Sequence, residues 1–185
     1  MQDAPRLEPR DRAQWRAWLA EHHADERGVW VAYARRDGDG LGYEDLVREA
    51  LCFGWVDSTE RRGESGRLVI YVAPRRRGST WAPSNKRRVA ELTDAGLMAP
   101  AGLAAVERAR TDGSWTLLDA VEALQVPDDL ALALAATPGA RAAFEACSAS
   151  VRKQALWWVV SAKRDETRRR RVAEVVRRAV EGALP

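Results

Sequence analysis

Residues 52–85 read CFGWVDSTERRGESGRLVIYVAPRRRGSTWAPSN, and within them the chain passes from helical patterning to extended patterning and back. Arg67–Ala73 is a nearly continuous run of apolar residues, the pattern of a strand covered on both faces. Pro74 stops it, because proline has no N–H to give a sheet ladder. On the upstream side Gly54 closes a helix, Trp55-Val56-Asp57 reads as a short strand, and Ser58–Gly66 reads as a polar turn. Downstream, the Pro-Arg-Arg-Arg-Gly turn leads through Trp81 into sequence that is helical throughout.

Working back toward the start, Leu46, Val47, Ala50 and Leu51 share one face of a helix over Tyr43–Phe53. Val29–Ala34 is a second strand. Asp37-Gly38-Asp39-Gly40 alternates acids as a calcium loop does, but no glutamate follows at the spacing such a loop needs, so it reads as a turn. Trp15, Trp18, Leu19 and His22 repeat at i, i+3, i+4 and i+7, which predicts a helix capped by Asp11. His22 and His23 close that helix, where a cation suits the dipole, and no Cys, His or Asp cluster nearby has metal-ligand spacing. Residues 1–9 show no periodicity and read as a flexible arm.

Toward the C-terminus, helices are predicted from Ser84 to Gly96 and over 101–110, with a short apolar piece at 117–124. Others open at Pro127 with Asp128 and Asp129, at Pro138, at Ser148 as a cap, and at Asp165. The order helix, strand, helix, strand, strand predicts an α+β fold: a small, mostly antiparallel sheet with flanking helices, then a C-terminal helical region. The change of pattern falls at 122–126, dividing the chain into 1–124 and 125–185.

With 46% hydrophobic and 31% charged residues the composition is that of a globular chain, and no apolar run approaches the ~20 residues that span a bilayer. The N-terminus carries charges of both signs and no apolar segment, so a cytoplasmic location is expected. The two cysteines, Cys52 and Cys147, read as small buried hydrophobes. A net charge of +3 is weak grounds for a polyanionic partner. Arg168–Arg171 does not change that, since on a helix successive residues turn by about 100° and four in a row make no single basic face. Arg168 lies nearest the inward stripe of Val172, Val175, Val176, Ala179 and Val180, and is expected to reach a carboxylate of the first region, with Asp57 the candidate.

The chemistry concentrates in Trp55, Asp57, Arg75, Arg76, Ser79, Trp81 and Asn85, joined by Arg168. Trp55 and Asp57, two apart on a strand, share a face. An arginine fork matches a carboxylate or phosphate, and indoles stack on planar groups. The set suits a cleft for an anionic or aromatic ligand. The structural alternative is an internal Asp57–arginine ion pair with the tryptophans as core. Catalytic residues are not identified: there is no G-x-S-x-G and no Cys-His pair. Nor does any motif call for a metal or a cofactor.

Five ordered stretches carry a resemblance: EALCFGWVDS (49–58), APRRRGSTWAPSN (73–85), GLMAPAGLAAVERARTDGSW (96–115), VPDDLALAL (126–134) and SAKRDETRRRRVAEVV (161–176). Together they resemble the YdeI/OmpD-associated family, also called bacteriocin-protection proteins, from Trp15 onward. Asp165 and Ala99 stand where that family's pattern has proline and threonine. The resemblance implies an α+β region followed by a helical one, and a role in resistance to bacteriocins or cationic peptides linked to an outer-membrane porin. It implies no reaction. The expected function is therefore a non-catalytic stress or antimicrobial-resistance protein that binds a small anionic or aromatic ligand or a protein partner. A nucleic-acid-binding regulator and an uncharacterised enzyme are the alternatives.

Overall fold

Asp11 begins the first helix, α1 (Arg12–His22), by accepting a hydrogen bond from the Gln14 amide at 2.8 Å. The structure, a computed structural model, describes residues 4–34, 40–63 and 67–184. Most of the turn expected at Asp37–Gly40 and the end of that at Ser58–Gly66 lie outside these residues. After α1 come β2 (Val29–Tyr33), α2 (Tyr43–Cys52), β3 (Trp55–Arg62), β4 (Leu68–Pro74), α3 (Pro83–Asp94) and α4 (Pro100–Thr111). A two-residue strand, β1 (Arg6–Leu7), precedes them all. The sheet order is β1-β2-β4-β3, parallel between β1 and β2 and antiparallel elsewhere. The fold is α+β with a helical C-terminal region, as the patterning implies.

All five residues of β2 are buried. Val29, Val31, Ile70 and Val72 face the helices with Trp15, Leu19, Leu46, Leu51 and Trp55, while Trp30, Ala32 and Val69 form a small cluster on the other face. Gly54 adopts φ +75°, a left-handed conformation that favours glycine, and its N–H closes α2 on the Leu51 carbonyl at 3.1 Å.

Two expectations about the sheet are corrected. Arg6–Leu7 is no free arm but pairs with Trp30 and Val31; two residues are too few to show a period, and the edge of β2 supplies the pairing. Likewise β3 continues through Arg62 where a polar turn was expected from Ser58. As an edge strand its outer half is solvated, so apolar alternation is lost, and a register shift between Asp57 and Glu60 interrupts the pattern further.

Residues up to Trp115 form one compact unit and those from Thr116 a second, so the change of pattern at 122–126 falls inside the second. That unit holds α5 (Asp119–Glu122), α6 (Asp128–Ala136), α7 (Ala140–Ala146), α8 (Ala149–Val160) and α9 (Asp165–Val180). Ser148 caps α8 through the Val151 amide. The inward stripe of α9 is Val172, Val175, Val176 and Ala179; Val180, expected inward, is 53% exposed at the helix end. Trp157 packs against this core, whereas Trp158 lies outward with the Arg171 guanidinium 5.4 Å from its ring centre.

Arg168 donates through Nε and Nη2 to both oxygens of Asp129, at 2.7 and 2.9 Å, within its own unit. This replaces the expected reach toward Asp57: the partner sits in the first turn of α6, where an acid also meets the helix dipole. The bond from Arg168 is the main influence holding the Asp129 carboxyl below its ordinary 3.8. Arg168→Ala should therefore lower stability by about 0.5–1 kcal/mol, the range for a well-formed exposed pair, and Arg170→Ala by nothing measurable. Because the folded carboxyl is depressed, this contribution is present above pH 3.8 and lost as pH falls through the folded value. Urea titrations of both variants at neutral and acid pH would show it; equal effects at neutral pH would refute the pairing.

Candidate functional site

Where β4 ends, the Arg75 amide donates to the Gly54 carbonyl at 3.0 Å, tying the strand end to the start of β3. The chain then turns over Arg76–Ser79, with the Ser79 amide donating to the Arg76 carbonyl. This brings the Arg75 guanidinium onto the indole of Trp81, 3.8 Å from the ring centre. Its Nη1 donates to Ser79 Oγ at 3.2 Å and to the Thr80 carbonyl at 2.7 Å. Its Nε and Nη2 are buried with no hydrogen-bond partner in the protein, and the same holds for Trp81 Nε1.

Burial pulls the Arg75 pKa down to about 10, against which the nearby charge of Asp57 acts. The side chain is thus a cation at neutral pH, held in a site that disfavours its charge. Trp81 is 1% exposed and packs at 5.0 Å against Trp115. Lys86 and Arg110 place their charges 5.4 Å from the Trp115 ring centre.

Arg75 and Trp81 line a cavity of about 10 Å³ together with Arg76, Arg77, Arg108 and Asp112. That is room for one water molecule or one oxygen atom. Asp112 is held at the wall by two backbone donors, the Gly78 amide at 3.2 Å and the Ser114 amide at 2.9 Å. The Ser114 bonds are the first cause keeping its carboxyl below the usual range.

Of the residues singled out in the sequence, Arg75, Ser79 and Trp81 meet directly, and Arg76 lines the same cavity. Asp57 acts on Arg75 through its charge, but its hydrogen bond comes from the Tyr43 hydroxyl at 2.9 Å. Burial first, and then that bond, push the Tyr43 pKa up to about 12. Asn85 orients Arg88, accepting from Nη1 at 2.9 Å while Arg88 grips Glu44. Trp55 is a core residue: its indole N–H donates to the His23 carbonyl at 3.2 Å and its ring packs edge-on against Trp18. Arg168 belongs to the second unit.

Sequence reasoning passed over Arg77, Arg108, Asp112 and Trp115. Arg77 stood in the Pro-Arg-Arg-Arg-Gly turn, and Arg108 and Asp112 are one helical turn apart at the end of α4, so the available signal was that spacing beside an Asp-Gly turn. Among the described residues no group of three or more His, Cys, Asp or Glu side chains could hold a metal ion, and no helix is long and apolar enough to cross a membrane.

The unpartnered edge of Arg75 has a defined chemistry. Nε and Nη2 present parallel N–H groups, and it is with this edge that Arg88 holds Glu44, Arg168 holds Asp129 and Arg177 holds Glu174. Arg75 buries the same edge without a carboxylate on it.

Two family models match the chain. Residues 7–105 match one described as "Domain of unknown function (DUF8412)", and residues 123–182 match one described as "Bacteriocin-protection, YdeI or OmpD-Associated". Of the five motifs that carry the resemblance, the two at 126–134 and 161–176 lie within the residues matched to the second family, while those at 49–58 and 73–85 lie within the residues matched to the first. No curated protein matches the chain, and no solved structure does.

Proposed function

We propose that this chain, which belongs to the DUF8412 family through residues 7–105 and carries a bacteriocin-protection, YdeI or OmpD-associated region at 123–182, acts by binding a small oxyanion-bearing ligand at Arg75 and Trp81. The observation that carries this reading is the buried Nε/Nη2 edge of Arg75. A buried donor without a partner costs about 1–3 kcal/mol, and more when the group is charged. A single carboxylate or phosphate oxygen lying between the two parallel N–H groups would accept from both nitrogens at once, and the Trp81 face fixes the plane of the fork. On this reading the link to bacteriocin protection is a binding event, with the ligand or the partner that presents it as the thing sensed or sequestered.

Intrinsic tryptophan fluorescence tests it, since Trp81 and Trp115 stand at the site. Titration with acetate and with inorganic phosphate should give saturable changes. Arg75→Lys keeps the charge but removes the parallel fork, and should weaken binding at least about tenfold, the value of one charge-assisted bond. Circular dichroism confirms that the variant is folded. Binding by Arg75→Lys equal to that of the parent would sink the proposal.

A further inference from the structure

The walls of the cavity say more about the ligand than Arg75 alone, and the ligand class they select rests on the oxyanion reading of Arg75. Four arginines, Arg75, Arg76, Arg77 and Arg108, line the cavity with one acidic residue, Asp112. That carboxylate already accepts from the Gly78 and Ser114 amides. Neither Arg76 nor Arg108 is in an ion pair among the described residues. A carboxylate ligand would balance Arg75 alone; a dianion would balance more of the four cations.

A second feature limits the rest of the ligand. Arg77, Arg108 and Asp112 also line a groove of about 450 Å³ beside Ala104, Glu107 and Thr111 of α4. This volume is within the range of small-molecule sites, while the cavity itself admits no more than an oxygen. Glu107 on the groove wall repels a second anionic group there and accepts hydrogen bonds from hydroxyl or amine donors.

We infer that the ligand is a phosphate monoester of a small hydroxyl- or amine-bearing molecule, with one phosphate oxygen between the Nε and Nη2 donors of Arg75, the remaining charge answered by Arg76, Arg77 and Arg108, and the body along α4. A phosphodiester, with a single charge, lacks the feature the outer arginines read.

The test compares four probes on the full chain: inorganic phosphate, glycerol phosphate, dimethyl phosphate and acetate. Phosphate and glycerol phosphate should bind at least about tenfold tighter than the two monoanions. A double variant, Arg76→Ala with Arg108→Ala, should shrink that preference, weakening phosphate and glycerol phosphate by more than it weakens acetate and dimethyl phosphate. Equal binding of all four probes to the parent overturns the phosphate assignment and leaves the Arg75 reading intact. So does a double variant that weakens all four alike. Failure of Arg75→Lys to affect any probe overturns the Arg75 reading and with it this one. Glycerol phosphate binding more weakly than inorganic phosphate removes the body from α4 and makes the ligand the free ion.

Discussion

Gly102→Ala should destabilise the first unit by about 3 kcal/mol, although in a helix interior that substitution ordinarily stabilises by roughly 0.5–1 kcal/mol. Gly102 is buried in α4, and a Cβ there would lie 2.1 Å from the Cys52 carbonyl oxygen, 2.7 Å from its carbon and 2.9 Å from the Leu51 oxygen. These are backbone atoms at the end of α2, so no rotamer change relieves the contact. The same Cys52 carbonyl accepts from the Ala99 amide at 3.0 Å, which anchors the start of α4. Forcing the helices apart loses this bond and the packing of Ala105, Val106 and Ala109, and overpacking of this kind costs typically about 1–3 kcal/mol or more. Since α4 carries Arg108 and leads directly into Asp112, phosphate binding should fall with stability. A urea titration measures the first effect; a higher midpoint for the variant would show that the two helices do not meet in this way.

Glu49→Ala should cost a similar amount, about 3 kcal/mol. Glu49 is 1% exposed, and its two oxygens accept from Arg12 Nε at 2.5 Å and Arg16 Nη1 at 2.6 Å. Arg12 also reaches Asp45, and Arg16 the Leu97 carbonyl. One buried carboxylate thus ties α1 to α2 and, through Arg16, to the chain before α4. Removing it leaves two cations facing a buried apolar position. Both arginines are more than a third exposed, so the cost sits at the low end for broken buried pairs. Glu49→Gln, which keeps the shape and loses the charge, should fall between parent and alanine variant. A loss below about 1 kcal/mol for Glu49→Ala would mean that the arginines find water instead.

Neither residue stood out in the sequence. Glu49 lies beside the apolar face of α2 and reads as the start of its polar side; its partners are 37 and 33 residues away, so no local period reports them. Gly102 reads as a weak point in a helix, and its reason is the backbone of another helix. The Arg75 site was half legible. The spacing of Arg75, Ser79 and Trp81 around a proline-stopped strand marked the turn, but Arg108 and Asp112 reach it only because α4 folds back. Trp55 and Asn85, credited with ligand contacts by proximity in sequence, are directed elsewhere by packing: one into the core and the other onto Arg88.

Local sequence was enough for whatever depends on neighbours along the chain: the caps at Asp11 and Ser148, the strand stopped at Pro74, the glycine closing α2, and the α+β order of elements. Side-chain periodicity and backbone restriction act over a few residues and are written there. Which groups meet across long separations was settled by folding: Arg6–Leu7 on the sheet edge, Arg168 on Asp129, two arginines on Glu49. The same packing left the Nε/Nη2 edge of Arg75 buried without an acid. Desolvation and hydrogen-bond satisfaction depend on everything within a few ångströms in space, so only the folded chain could show that the arginine marked in the turn holds a fork with no carboxylate of its own.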